Sequence, residues 1–303
     1  MLRWRLLSAA IVLTILLTLL WVDFQNFVFQ RPGAWLFPLA VLLTVLGTAE
    51  LLDLLAAQNL RPICWTTHAG TLLIVLAAGA PILWKVYPPD CPLGKLGWPL
   101  LALAAGVCLA FCGEMLRYRE PGGVVVRIAL GVFAMAYLGL LMAFVIELRL
   151  FHDNAWGMAA LVSMVFVTKM SDTGAYFVGR ALGRHKMTPL LSPKKTIEGA
   201  VGGLAAAALS SWLFFHVLVP WLFVASPPLP NWWQWLAYGV ILAAAGMIGD
   251  LAESLIKRDM NRKDSSRWLP GLGGVLDIVD SLLFAAPPAY LCWAAGLVGP
   301  LAK

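Results

Sequence analysis

Residues 124–146 read VVVRIALGVFAMAYLGLLMAFVI, a stretch in which Arg127 is the sole charge. An α-helix rises about 1.5 Å per residue, so a run of this length covers the roughly 30 Å of hydrocarbon in a bilayer. The run is continuous rather than alternating, which argues against a strand of a transmembrane β-barrel. Similar runs recur near 5–22, 35–57, 68–87, 97–113, 156–178, 199–220, 234–256 and 275–298. They predict an all-α polytopic transmembrane protein with about nine spanning helices. Five fall in an N-terminal region, 1–150, and four in a C-terminal region, 151–303, with polar loops at 179–198 and 257–274.

Composition leads to the same class. Hydrophobic residues make up 61% of the chain and charged residues 13%, against roughly 25% charged in soluble domains. A water-facing surface cannot be built from so few charges. Residues 1–22 carry Arg3 and Arg5 ahead of an apolar run that is long for a signal peptide and lacks a small-x-small cleavage site, so they are expected to persist as the first helix. The five cysteines are scattered and show no metal-thiolate spacing. Trp35, Trp98, Trp156, Trp221, Trp232 and Trp233 stand at span edges, where an interfacial aromatic belt belongs.

Lys and Arg distribution predicts the orientation. With the N-terminus in the cytoplasm, sixteen of them fall on the cytoplasmic side and five on the other, while Lys169 lies inside a span. Both basic loops then face the cytoplasm. The net charge of +6 reflects topology and the partners of those loops, and gives no reason to expect nucleic acid.

Two segments interrupt the apolar pattern: residues 169–203, KMSDTGAYFVGRALGRHKMTPLLSPKKTIEGAVGG, and residues 249–281, GDLAESLIKRDMNRKDSSRWLPGLGGVLDIVDS. Together they hold eight of the sixteen carboxylates and eleven of the twenty-two Lys and Arg. Asp250, Glu253, Ser254 and Lys257 are spaced to share one helical face. Asp277 and Asp280 share a face at the start of the last span. An unpaired acid in a spanning helix costs about 2.5–3.5 kcal/mol or more, so this many acids require cations or a wet cavity. One reading pairs them with Lys257, Arg258 and Lys263 at the membrane boundary. The other is a hard-cation site suited to Mg²⁺ carrying a substrate phosphate.

The first segment is the complement. Ser192-Pro-Lys-Lys-Thr-Ile-Glu-Gly sets Lys194, Lys195, Ser192 and Thr196 just before a helix expected to begin near Glu198 or Gly199. Lysines at a helix N-terminus attract phosphate, although an ordinary positive-inside loop has the same composition. Asp172, between Ser171 and Thr173 at the end of the sixth span, is a functional candidate by its position. An acidic metal site beside a basic phosphate loop suits phosphoryl or nucleotidyl transfer onto a lipid. No Walker-type motif is present.

These segments are similar in order and spacing to the phosphatidate cytidylyltransferase (CDP-diacylglycerol synthase) family. The resemblance rests on Asp172-Thr-Gly-Ala-Tyr, Ser192-Pro-Lys-Lys-Thr-Ile-Glu-Gly, Ser254-Leu-Ile-Lys-Arg-Asp-Met-Asn-Arg-Lys-Asp-Ser-Ser and Leu269-Pro-Gly-Leu-Gly-Gly-Val-Leu-Asp-Ile-Val-Asp-Ser. Its specific part covers residues 170–281, and Glu50 in the second span matches an acid often found there. The resemblance implies a membrane enzyme of phospholipid biosynthesis that makes CDP-diacylglycerol and pyrophosphate from CTP and phosphatidic acid. It implies Mg²⁺, with Mn²⁺ as a substitute and room for a second cation, and a homodimer in the cytoplasmic membrane. Asp250 and Asp277 become the metal-holding aspartates, with Asp280 close by. Lys194, Lys195, Lys257, Arg258 and Lys263 become phosphate ligands. Ser192, Thr196, Ser254, Asp172 and Asp264 are further substrate-binding candidates. The chain departs from the pattern at Leu272, where a His is usual, and at Ile278, where an Arg is usual. Competing readings are a CTP-dependent polyprenol or phytol kinase, an ion-coupled transporter, and a catalytically inactive scaffold suggested by those two departures.

Overall fold

The computed structural model describes residues 2–25, 30–84, 87–88, 90–223, 229–266 and 273–301. The predicted apolar stretches overlap helices, the one at 68–87 only as far as Ala78 and a short turn at Ala80–Leu83, and five helical runs are long and apolar enough to cross a membrane: Phe37–Ala56, Gly94–Arg117, Val124–Arg149, Ile197–Leu222 and Trp232–Asp259. Large apolar side chains stand outward along them, among them Leu100, Leu101, Phe111, Val201, Ile248 and Leu255. So much exposed apolar surface is stable against lipid and not against water. The protein is therefore an all-α polytopic membrane protein, with one small exception noted below.

The chain divides into two compact units, residues 1–147 with 259–278, and residues 148–258 with 279–303. Residues 259–278 group with the first unit. In that unit the helices are α1 (Leu2–Phe24), α2 (Phe37–Ala56), α3 (Cys64–Ala78), α4 (Gly94–Arg117), α5 (Val124–Ala134) and α6 (Leu141–Arg149). The π-helical residues Met135–Leu140 join α5 to α6. The wider turn presents Met135, fully buried, toward α3 and α4: a Cβ added at Gly106 would lie 2.9 Å from the Met135 sulfur. Buried Asp23 accepts from the backbone N–H of Gly33 (3.1 Å), Trp35 (2.9 Å) and Leu36 (3.3 Å), which fixes the entry to α2.

The second unit holds α7 (Asn154–Leu182), α8 (Ile197–Leu213), α9 (Val219–Leu222), α10 (Trp232–Asp259) up to Arg258, and α11 (Leu276–Ala294) from Val279 onward. Asp153 caps α7, accepting from Trp156 N at 2.9 Å. Thr196 caps α8, accepting from Gly199 N at 3.1 Å. The core is aromatic and has one satisfied polar centre, in which the hydroxyls of Ser163 and Tyr238 lie 2.7 Å apart and Trp293 Nε1 donates to both.

The exception to the all-α reading lies between α7 and α8. Residues 179–198 were expected as loop, but α7 continues to Leu182 and is followed by an antiparallel hairpin, β1 (Lys186–Thr188) with β2 (Ser192–Thr196). Glu198 ties it down, accepting from the backbone N–H of Arg184 (3.1 Å) and His185 (3.2 Å), with the His185 ring 2.6 Å away. With Thr196 as its cap, α8 begins at Ile197, one residue ahead of the predicted start. Likewise α10 runs to Asp259, into the predicted loop 257–274.

Candidate active site

In the second unit, carboxylate oxygens of Asp250, Glu253 and Asp280 lie within 4.8 Å of one another. Two come from a single turn of α10 and the third from the first turns of α11. Their meeting depends on Gly249. A Cβ at that position would stand 2.6 Å from the Asp280 carbonyl oxygen and 2.9 Å from Phe284 Cβ. Only a bare α-carbon lets the two helices approach so closely, and the approach carries Asp250 and Glu253 up to Asp280. Asp280 and Glu253 are buried, while the Asp250 side chain is 42% exposed, so the cluster opens on one side.

Lysines line that opening. Lys195, on β2, places Nζ 2.7 Å from Asp250 Oδ2. Lys257, one turn along α10, places Nζ 2.6 Å from Glu253 Oε2. The boundary pairing considered from sequence is therefore present for Lys257, alongside the acidic cluster rather than instead of it. Arg258 donates to the Leu191 carbonyl at 3.3 Å, which fastens α10 to the hairpin that carries Lys195. Asp172 lies deeper: its Oδ2 is 3.3 Å from Ser281 Oγ and 3.5 Å from Lys169 Nζ. Thr196 is occupied as the α8 cap, Ser192 and Ser254 are half-buried on β2 and α10, and Lys194 is exposed on β2.

The remaining predicted residues belong to the first unit. Lys263 and Asp264 are exposed there. Asp277 Oδ2 accepts from Ser265 Oγ (2.7 Å), Ser265 N (3.3 Å) and Gly274 N (2.8 Å). Beside it Glu50, fully buried on α2, accepts from Ser266 Oγ (2.6 Å), Val275 N (2.9 Å) and Leu276 N (2.9 Å), with Ser265 Oγ at 3.2 Å. Glu50 thus caps α11 from another helix, placing a carboxylate where the helix dipole favours negative charge. Gly273 has φ +89°, a left-handed conformation that suits glycine, and it turns the chain into this knot. Leu272 lies outside the described residues.

The cluster of three acids differs from the sequence assignment by including Glu253, which the spacing put on one face with Asp250, and by not including Asp277, whose carboxylate is taken up by Ser265 and Gly274. Its donors are all carboxylate oxygens, with no sulfur or imidazole among them, and that set fits a hard cation such as Mg²⁺. Such a cation and the flanking lysines form an arrangement that can hold a polyphosphate.

Fold and site together define a polytopic helical membrane protein with an oxygen-donor acidic centre flanked by lysines. The chain belongs to the cytidylyltransferase family, whose profile matches residues 3–295. It is 30% identical over 258 residues to the phosphatidate cytidylyltransferase of Bacillus subtilis (strain 168), covering 85% of this chain and 89% of that one. It is 44% identical over 139 residues to the phosphatidate cytidylyltransferase of Brucella suis biovar 1, covering 46% of this chain and 48% of that one. With the enzyme of the same name from Haemophilus influenzae it shares 38% over 159 residues, about half of each chain (52% and 54%).

Proposed function

We infer that the chain is an integral-membrane phosphatidate cytidylyltransferase, making CDP-diacylglycerol and pyrophosphate from CTP and phosphatidic acid. The observation that carries this reading is the meeting of Asp250, Glu253 and Asp280 within 4.8 Å beside Lys195 and Lys257, in a chain of this family. A phosphate oxygen of the lipid attacks the α-phosphorus of CTP. The new P–O bond forms as the α–β anhydride bond breaks, and the electron pair leaves with pyrophosphate. The lipid phosphate is already anionic near neutral pH, so no protein nucleophile is required.

Asp250, Glu253 and Asp280 are the residues assigned to hold Mg²⁺ or Mn²⁺, and the family resemblance adds Asp277. When bound, such a cation withdraws charge from the phosphate oxygens and aligns them for in-line displacement. Lys195 and Lys257 exchange their carboxylate partners for phosphate oxygens as substrate arrives. Lys194 and Arg258 add charge along the hairpin and α10, while Lys263 and Asp264 belong to the substrate-binding assignment through the resemblance alone. The proposed setting is the cytoplasmic membrane, crossed about nine times, with the N-terminus and both basic loops in the cytoplasm. The sixteen-to-five bias of Lys and Arg supports that orientation. A homodimer is proposed from the resemblance.

The deciding experiment uses purified protein in detergent with Mg²⁺, phosphatidic acid and CTP labelled at the α-phosphate. Label is expected in the lipid, with one pyrophosphate released per transfer. No lipid label, but γ-label transferred to polyprenol or phytol, would replace this reading with a lipid kinase. Gly249→Ala is expected to cut turnover at least about tenfold in the same assay, since even a methyl group must force α10 from α11 by roughly the 1–3 kcal/mol of an overpacked contact. Unchanged turnover would show that the close approach at Gly249 does not set the site.

A further inference from the structure

We propose that Lys169 is a further substrate ligand of this site, holding the phosphate of the lipid acceptor from the membrane side; this rests on the reading just given. A lysine within an apolar stretch carries a cost of about 2.5–3.5 kcal/mol at a helix centre, and a methionine there would carry none. Lys169 does more than neutralise one neighbour. Its Nζ lies 2.9 Å from Ser281 Oγ and 3.5 Å from Asp172 Oδ2, and its side chain remains 40% exposed. Ser281 directly follows Asp280 and donates its own N–H to the Asp280 carboxylate. The ammonium therefore sits beside the acidic cluster and is open to a ligand.

Charge accounting in this unit calls first for a cation and then for an anion. Lys195 pairs with Asp250, Lys257 with Glu253 and Lys169 with Asp172, and Asp280 adds a further carboxylate, which leaves one net negative charge among these groups. With a divalent cation held by the three clustered acids the balance would turn to one net positive charge, and a phosphate would then be the natural counterion for the lysines. Position separates the lysines into two sets. Lys195 and Lys257 belong to the polar segments 179–198 and 257–274, whereas Lys169 lies within the apolar stretch 156–178. A nucleotide approaches from water toward Lys195 and Lys257, and a lipid phosphate approaches from the bilayer toward Lys169.

The test uses the full-length protein in detergent with a short-chain, monomerically soluble phosphatidic acid. Lys169→Met is expected to raise KM for phosphatidate about tenfold or more and to leave KM for CTP within about twofold. Lys169→Arg should restore KM to within about threefold of the parent. A second readout needs no turnover: the same lipid, with Mg²⁺ and without CTP, should raise the melting temperature of the parent protein and not that of Lys169→Met. Unchanged KM for both substrates, or a rise confined to CTP, would overturn the proposal. If Lys169→Met does not purify, Lys169→Gln serves in its place, and failure of both would assign Lys169 to structure and equally overturn it. Absence of lipid product from the parent protein would instead defeat the cytidylyltransferase reading, and the melting shift would still decide whether Lys169 holds a phosphate lipid.

Discussion

Asp250→Asn should lower cytidylyl transfer by about 10³-fold or more, a barrier increase near 4 kcal/mol, while the protein inserts and purifies as before. Asparagine keeps the shape and one acceptor oxygen, so Lys195, now 2.7 Å from the carboxylate, retains a hydrogen-bond partner. What is lost is a formal charge at the exposed corner of the acidic cluster. The substitution therefore separates charge from packing. Glu253→Gln and Asp280→Asn should follow the same course, since the three oxygens lie within 4.8 Å. Melting temperature in detergent and labelled transfer are measured on the same preparation. Activity within tenfold of the parent would remove Asp250 from the proposed cation set.

The second large effect concerns stability. Glu50→Ala strands the N–H groups of Val275 and Leu276, both now satisfied by one buried carboxylate. An unsatisfied buried donor costs about 1–3 kcal/mol, and the α11 cap is lost with them. The expected result is a melting temperature lower by on the order of 10 °C and a poor yield of folded protein. Glu50→Gln keeps one acceptor oxygen but turns an amide NH₂ toward N–H donors, so it should fall between the two. A melting temperature for Glu50→Ala within about 2 °C of the parent would show that the knot contributes little.

The helical framework was legible because bilayer-length apolar runs admit few alternatives: stretches such as 97–113 and 234–256 fall within α4 and α10. Less visible were features set by packing. Nothing in Ser192-Pro-Lys-Lys favours a strand, and the hairpin owes its form to Glu198 reaching back to residues 184 and 185. The π-helical turns at Met135–Leu140 and Phe214–Leu218 follow from how neighbouring side chains fit, which periodicity does not record. In the site, Asp250, Asp280, Lys195 and Lys257 were readable as charges concentrated at one membrane face. Glu253 was placed on the same face as Asp250 but was not among the assigned ligands. Glu50 drew notice only through the resemblance, because its hydrogen-bond partners lie more than two hundred residues away in sequence.

That separation bears on how the protein is made. During synthesis α2 reaches the translocon long before residues 265–276 leave the ribosome, so Glu50 enters an apolar environment ahead of its partners. Until the last helix arrives, the second span carries an acid with no native donors, and it rests in the bilayer on borrowed contacts: water, headgroups or the insertion machinery. Closure of the α11 cap is thus a late event that tells an assembled chain from an unfinished one. A chain truncated before residue 265 retains every apolar span up to that point and lacks the donors that Glu50 has in the folded protein.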